Sequence, residues 1–156
     1  MILELIGSVH REMIIISACL LGVNCRYDGS NKTNLRLVEF VKRHKCIPIC
    51  PEQLGGLSTP RDPAKIQIGD GFDVINSQFR VIDIKGKDVT LHFIRGAKEA
   101  LNIAIMVGAE NAILKDNSPS CGVNFISDDY GFKKGVGIFT ALLINSGIKV
   151  SQGDTY

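Results

Sequence analysis

Short apolar runs are the feature that most restricts how this chain can fold. The run from Met13 to Leu20 is rich in isoleucine and carries no charge, which is typical of a strand buried on both faces. Cys46 to Cys50 and Ala112 to Leu114 are two further short apolar runs, and residues 148–151, after the last predicted helix, are expected to form a final strand. We therefore expect four strands, each too short to stand alone and each buried in a common sheet.

Helical patterns lie between these strands. Residues 34–44, 88–108 and 135–145 are predicted to be helices, from the helical spacing of apolar residues and from glycines that end the last two. The alternation predicts an α/β fold, a three-layer Rossmann-like parallel sheet flanked by helices. Residues 51–64 hold three prolines and two glycines, and they are expected to form an ordered loop at the sheet edge. Residues 65–87 alternate apolar and polar residues around turn signals, which predicts a small antiparallel ribbon inserted there.

Size and charge narrow the class of protein. A chain of 156 residues fits one core, so we predict a single domain over 1–156, with 1–12 as a possible N-terminal extension. Its net charge of only +2 argues against nucleic acid or an anionic membrane as the main partner, and a small molecule fits better. No apolar stretch reaches the roughly 18 to 20 residues of a membrane helix. We expect a cytoplasmic protein whose oligomeric state the sequence leaves undetermined.

Three cysteines mark the points where apolar runs stop. Cys19, Cys50 and Cys121 would meet at one edge of a parallel sheet, where open α/β folds bind ligands. Three thiolates there would form a metal or cluster site with one open position, for zinc, cuprous copper or an iron–sulfur cluster. The alternative is that they are buried free thiols that only pack. Cys46 is expected in the core, and Cys25 is a reserve ligand or a neighbouring thiol.

Two polar residues beside these cysteines are candidates for catalysis. Glu52 follows Cys50 and Pro51, and it could act as a general acid or base. Ser118, in the Ser-Pro-Ser-Cys segment, could orient a substrate or water. In the alternative interpretation Glu52 pairs with a nearby arginine, either Arg26 or Arg61, and Ser118 is a turn residue.

A third cluster follows the first strand. Arg26 offers planar donors, Tyr27 a stacking face and Asp28 an acceptor, a combination suited to binding a flat heterocycle. The same three residues could equally form a turn locked by an Arg–Asp pair. No histidine lies near any of these motifs.

Four long motifs together resemble a known family. These are CLLGVNCRYDG at 19–29, CPEQLGGLSTPRDPA at 50–64, LKDNSPSCG at 114–122 and GVGIFTALLINSGIKV at 135–150. Their order and content resemble the family catalogued as domain of unknown function 523, whose characterised members are thiouracil desulfurases. The chain departs from the common pattern at Lys65, where many relatives have glutamate, and at Asp62, where a basic or small residue is frequent.

The resemblance implies a specific chemistry. It implies a 4Fe-4S cluster held by Cys19, Cys50 and Cys121, with the fourth iron left without a protein ligand. Glu52 and Ser118 would take the catalytic and substrate-positioning roles. The implied reaction is the non-redox removal of sulfur from a thiolated pyrimidine such as 2-thiouracil, which gives uracil and hydrogen sulfide.

Two other functions compete with this one. A non-enzymatic iron–sulfur or zinc protein that senses or delivers metal would keep the cysteines and have no use for Glu52 or Ser118. An enzyme without a cluster could use Cys50 or Cys121 as a nucleophile. It would lack a base, because no histidine lies in a motif.

Overall fold

The computed structural model describes residues 12–156, so the predicted extension over 1–12 lies almost wholly outside the described residues. Eight strands and five α-helices make up the described chain. In order they are β1 (Met13–Ser17), α1 (Leu35–Val41), β2 (Lys45–Ile49), α2 (Pro51–Leu54), β3 (Ala64–Ile66), α3 (Gly71–Ile75), β4 (Val81–Asp83), α4 (Thr90–Met106), β5 (Ala109–Leu114), β6 (Phe125–Asp128), β7 (Gly131–Lys134), α5 (Ile138–Asn145) and β8 (Lys149–Gln152).

The predicted parallel sheet is confirmed. Strands β1, β2, β5 and β8 form it in the order β2-β1-β5-β8, and every neighbouring pair is parallel. Strand β1 is shorter than the apolar run predicted, because residues 18–21 turn into a 3₁₀ helix that Gly22 ends in the left-handed region at φ 95°. The apolar character of that turn instead serves packing, since Ala18, Cys19 and Leu20 are buried.

Both faces of the sheet are covered, as a three-layer fold requires. On one face Ile15 and Ala112 belong to a core that includes residues of α4 and α5. On the other face Ile14, Ile16 and Ile113 pack with Leu37 of α1. Alternate residues of the same strand therefore enter different cores, which is why the strands have continuous apolar sequences.

Two antiparallel ribbons are attached to this sheet. Strands β3 and β4 pair as the predicted ribbon at 65–87, but helix α3 lies between them. The turn signals bound that helix: Asp70 caps its start by accepting from the Phe72 amide, and Asn76 ends it. The second ribbon, β6–β7, pairs Phe125 with Lys134 and occupies a segment to which the sequence analysis assigned no structure.

Other helix boundaries differ from expectation at glycines and prolines. The predicted loop at 51–64 begins with the short helix α2, for which Pro51 supplies a pre-set first residue. Helix α5 begins at Ile138 rather than Gly135, because Gly135 lies at φ 150° and Gly137 is extended. Among residues 12–156, no helix is long and apolar enough to cross a membrane.

Strand order fixes where a ligand can bind. From β1 the chain goes to β2 on one side, and it later enters β5 on the other side of β1. The connections that leave β1 and β5 therefore diverge at their carboxyl ends and open a crevice, the usual ligand position of a doubly wound sheet.

Candidate functional site

A cleft of about 1220 Å³ lies at this crevice. Four of the five cysteines line it, namely Cys19, Cys25, Cys50 and Cys121. Cys46 does not line it, and packs instead beside the core on the α1 side of the sheet. The three cysteines predicted to meet at the sheet edge thus share one cavity, together with the fourth that was held in reserve.

The thiols of the cleft are close enough to interact. The Cys50 thiol lies 3.7 Å from the carbonyl oxygen of Cys25. Hydrogen bonding to the Cys19 thiol is the main reason that the pKa of Cys25 rises to about 11. The hydrogen bond with Cys50 works against this rise, and burial adds to it. Cys25 therefore lies between Cys19 and Cys50, and all five cysteines of the chain are free thiols.

Burial and crowding also raise the pKa of the other two thiols. For Cys50 the main causes are its hydrogen bond to Cys25 and burial, partly offset by the Gln53 amide. For Cys121 burial is the main cause, the Ser17 hydroxyl works against it, and the nearby Cys50 and Glu52 charges add to the rise. These thiols are thus protonated at neutral pH, and a metal centre must displace their protons when it binds.

The donor set suits a cluster better than a single ion. In the part of the chain that the structure describes, no three His, Cys, Asp or Glu side chains converge closely enough to hold one metal ion. A single zinc needs sulfurs about 2.3 Å from one point, whereas a cluster spans several ångströms and takes thiolates from separated positions. Four thiols that line one cleft fit the larger group.

Glu52 is held by an arginine. It lies in the first turn of α2, its Oε2 accepts a hydrogen bond from Arg61 Nε at 2.7 Å, and the same oxygen forms an ion pair with Arg61 Nη2 at 2.5 Å. The two side chains are only 14% and 7% exposed. Arg61 Nη2 also donates to the Cys25 carbonyl at 3.0 Å. Of the two arginines proposed as partners, Arg61 is therefore the one that binds Glu52, and it ties the carboxylate to the cysteine loop.

The two serines of the Ser-Pro-Ser-Cys segment differ in what they contact. Ser118 Oγ accepts from the amides of Ser120 at 3.2 Å and Cys121 at 3.1 Å, so the hydroxyl shapes the turn. Ser120 Oγ donates to Glu52 Oε1 at 3.2 Å. Both line the cleft, but Ser120, which the sequence analysis did not select, is the one that contacts the carboxylate.

The predicted heterocycle-binding cluster is divided between cleft and turn. Arg26 and Tyr27 line the cleft, with the guanidinium carbon 5.3 Å from the centre of the Tyr27 ring. Asp28 is not among the lining residues. Its carboxylate accepts from the Ser30 amide and hydroxyl, which lower its pKa, and it lies 3.7 Å from Arg26. Asp28 thus takes part in a turn held by an Arg–Asp pair, which was the alternative to a substrate-binding role.

Asp116 is an organising residue that the sequence analysis missed. Its Oδ1 accepts from the amides of Val123 at 2.9 Å, Asn124 at 3.0 Å and Phe125 at 3.0 Å. Burial would raise the pKa of this carboxyl, but these backbone donors outweigh it and the pKa is lowered. The segment that contains Ser118 to Cys121 is thereby closed into a loop. An aspartate two residues before a Ser-Pro turn was the available signal.

The outer walls of the cleft come from the two ribbons. Ile68 and Ile84 lie beside β3 and β4, Phe132 lies on β7, and all three are mostly exposed. Lys65 of β3 forms an ion pair with Asp129 in the β6–β7 turn, so the ribbons are joined at the mouth. Lys65 is one of the two positions where the chain departs from the family pattern. The other, Asp62, pairs with Lys85 at 2.9 Å.

Comparison with known proteins gives a consistent result. A family model described as 2-thiouracil desulfurase matches residues 14–155. The uncharacterised protein YbbK of Bacillus subtilis strain 168 is 43% identical over 141 residues, which is 88% of this chain and 93% of YbbK. A solved structure of the 4Fe-4S-dependent thiouracil desulfidase TudS is similar with a TM-score of 0.80 and 39% identity. That similarity covers 92% of this chain and 91% of TudS.

Proposed function

Because the chain belongs to the 2-thiouracil desulfurase family, we propose that it removes sulfur from a thiolated pyrimidine such as 2-thiouracil. It is an enzyme that cleaves a carbon–sulfur bond with a 4Fe-4S cluster as cofactor. The resemblance predicted from the four motifs is confirmed. The observation that carries the proposal is that four thiols, Glu52 and Ser120 line one cleft at the carboxyl ends of β1, β2 and β5.

Three thiols of the cleft are proposed to hold the cluster. Cys19, Cys50 and Cys121 each follow a different parallel strand, so they approach the cleft from separate directions. Cys25 follows the same strand as Cys19, and we propose that it remains a neighbouring thiol. When bound, the cluster supplies an iron with an open coordination position, a Lewis acid that suits the soft sulfur of a thiocarbonyl.

Glu52 is proposed to move the protons of the reaction. Water adds to the carbon that bears sulfur, a carbon–oxygen bond forms and the carbon–sulfur bond breaks. Both hydrogens of the water end on sulfur, which leaves as hydrogen sulfide, so no net electron transfer is needed. Glu52 Oε1 faces the Ser120 hydroxyl, and it can hold a proton in transit while Arg61 keeps Oε2 in place.

Substrate recognition is proposed to use the rim of the cleft. Tyr27 is 40% exposed and offers a ring face on which a flat pyrimidine can stack. Arg26 supplies donors beside that ring for the pyrimidine oxygen. Ser118 lines the same cleft, and we propose that it contributes to positioning the substrate through the turn it shapes. The proposed partner is thus a small molecule, handled in the reducing cytoplasm where the thiols stay available.

Anaerobic reconstitution with single Cys→Ser variants tests the cofactor assignment. We expect about four irons and four sulfides per chain for the unaltered protein. Cys19→Ser, Cys50→Ser and Cys121→Ser should each lower iron content, and Cys25→Ser should retain it. Cys46→Ser is the matched control, because Cys46 lies on β2, the strand that Cys50 directly follows, and outside the cleft. Loss of iron in the Cys46 variant as large as in the Cys50 variant would contradict the assignment.

Glu52→Gln tests the catalytic part. The amide keeps the size of the side chain but cannot take a proton, so release of sulfide from 2-thiouracil should fall by about 100- to 10,000-fold. Iron content should stay normal. A Glu52→Gln protein that is as active as the unaltered one would favour another base. No release of sulfide by the reconstituted unaltered protein would instead favour a non-enzymatic iron–sulfur protein.

A further inference from the structure

We propose that Ser120 is a positioning residue that fixes the orientation of the Glu52 carboxylate. The inference rests on the proposed function and deepens it. Ser120 Oγ lies 3.2 Å from Glu52 Oε1, and Ser120 is only 3% exposed. Because the pair is shielded from water, its hydrogen bond is stronger than the same bond would be on the surface.

The carboxylate is held at both oxygens. Arg61 holds Oε2 through a hydrogen bond from Nε and an ion-pair contact from Nη2, and within residues 12–156 Ser120 is the one protein donor to Oε1. Contacts to Oε2 alone would leave the carboxylate plane able to turn about its last torsion, which is broad for glutamate. A donor on Oε1 removes that freedom. The remaining lone pair of Oε1 then points in one direction, as a proton acceptor in a reaction requires.

Ser120 is itself held by the backbone around it. Its amide donates to Ser118 Oγ, and its carbonyl accepts from the Phe139 amide at 2.9 Å at the start of α5. A side chain at Gly137 would overlap the Ser120 carbonyl, so helix α5 approaches this residue as closely as a glycine allows. The hydroxyl is thus presented to Glu52 from a backbone that cannot easily shift.

The neighbouring serine has a different task. Ser118 Oγ accepts two backbone amides of its own turn and has no contact with Glu52 among the described hydrogen bonds. Ser118 shapes the backbone of the turn, and this backbone places the Ser120 hydroxyl against the Glu52 carboxylate. The two hydroxyls of the Ser-Pro-Ser-Cys segment are therefore not equivalent.

Ser120→Ala tests this proposal in the reconstituted holoenzyme. We expect kcat for 2-thiouracil to fall by about 10- to 100-fold, the cost of a misplaced reacting group, while KM changes by less than about twofold. Iron and sulfide content should equal those of the unaltered protein. Ser151→Ala is the matched control, because Ser151 is exposed on β8 outside the cleft, and it should change neither kcat nor iron content.

A double-mutant cycle separates positioning from a merely structural role. If Ser120 acts through Glu52, adding Ser120→Ala to Glu52→Gln should lower the residual single-turnover rate by less than about twofold. An equal loss in both backgrounds, or loss of iron in Ser120→Ala, would overturn the proposal. Full activity of Ser120→Ala beside an inactive Glu52→Gln would overturn it too, while leaving the proposed function in place. Full activity of Glu52→Gln would overturn the proposal together with the proton-moving role of Glu52. Only a reconstituted unaltered protein that releases no sulfide from 2-thiouracil would overturn the proposed function itself.

Discussion

The carboxyl edge of the parallel sheet and the two ribbons border the same cleft, yet they are built differently. At the sheet edge the functional side chains are buried, as Cys121 at 6% and Ser120 at 3% exposure illustrate. On the ribbons the lining side chains face solvent, with Ile84 at 74% and Phe132 at 61%. One wall of the cleft therefore belongs to the core of the protein and the other to its surface.

This difference in burial indicates that the two walls of the cleft have different roles, one in catalysis and one in substrate binding. Groups that perform chemistry need fixed positions, and at the sheet edge buried hydrogen bonds such as Arg61–Glu52 and Ser120–Glu52 provide them. Groups that select a substrate need contact area, and exposed apolar side chains on short ribbons provide that with little effect on the core. We expect changes at the sheet edge to alter turnover, stability or cofactor content, and changes on the ribbons to alter substrate affinity.

Gly96→Ala should have the largest effect on stability, because it acts where α2 meets α4. A Cβ at Gly96 would overlap the Pro51 carbonyl oxygen and lie 2.8 Å from its carbon. Helix α2 carries Glu52, so it must move away from α4. We expect the free energy of unfolding to fall by about 1 to 3 kcal/mol, measured by urea denaturation, with lower iron content after reconstitution.

Lys98→Ala provides the comparison for that experiment. Lys98 is exposed on the same helix, and its replacement should stay within about 0.5 kcal/mol of the unaltered protein. If Gly96→Ala is equally harmless, the close approach of the two helices is not what holds α2 in place.

Asp116→Asn should have a smaller effect that depends on pH. The folded pKa of Asp116 lies below its ordinary value of 3.8, so its stabilising contribution is fully present above about pH 4 and is lost as pH falls through the folded pKa. The neutral amide should cost about 1 to 2 kcal/mol at pH 7, since charge-assisted hydrogen bonds are lost. Between pH 4 and pH 2 the variant should lose less stability than the unaltered protein. Parallel urea titrations measure this, and equal acid sensitivity would contradict the role of Asp116.

Phe132→Ala on β7 should have the smallest effect on the protein and act only on substrate. Stability should change by less than about 0.5 kcal/mol, because the side chain is largely exposed already. We expect KM to rise about two- to fivefold, with kcat and iron content unchanged. Tyr130→Ala is the control, since Tyr130 is 98% exposed in the same ribbon and does not line the cleft. A large fall in kcat for Phe132→Ala would contradict the assignment of the ribbon wall to substrate binding alone.

Much of the sheet edge could be predicted because its signals are local. Apolar runs predicted β1, β2 and β5, and the cysteines that follow them predicted where side chains would gather; β8 was predicted as the strand after the last helix. The ribbons were harder to predict. Strands β6 and β7 have four residues each, too few alternations to reveal a period, so this ribbon was missed. Helix α3 is only five residues long, and its flanking turn signals were taken for turns of the ribbon.

The partners of Glu52 could not be chosen from sequence. Arg26 and Arg61 were both possible, and the choice depends on how the loop at 51–64 folds back to bring its own Arg61 against Glu52. Ser118 and Ser120 are equally polar and two residues apart. Only the folded turn shows that the Ser118 hydroxyl accepts from backbone amides while the Ser120 hydroxyl donates to Glu52. The catalytic, substrate-binding and ligand roles of the selected residues stay predictions that the experiments above address.

The ion pair between Lys65 and Asp129 gives the ribbons a property that the sheet edge lacks. Its side chains are 34% and 67% exposed, whereas those of Arg61 and Glu52 are almost covered. Dissolved ions screen exposed charges over a distance of about 8 Å at physiological ionic strength, and they reach buried pairs far less. We therefore expect raised salt to weaken the Lys65–Asp129 pair at the mouth of the cleft before it weakens the Arg61–Glu52 pair inside, so that ionic strength acts on the ribbon wall more than on the sheet edge.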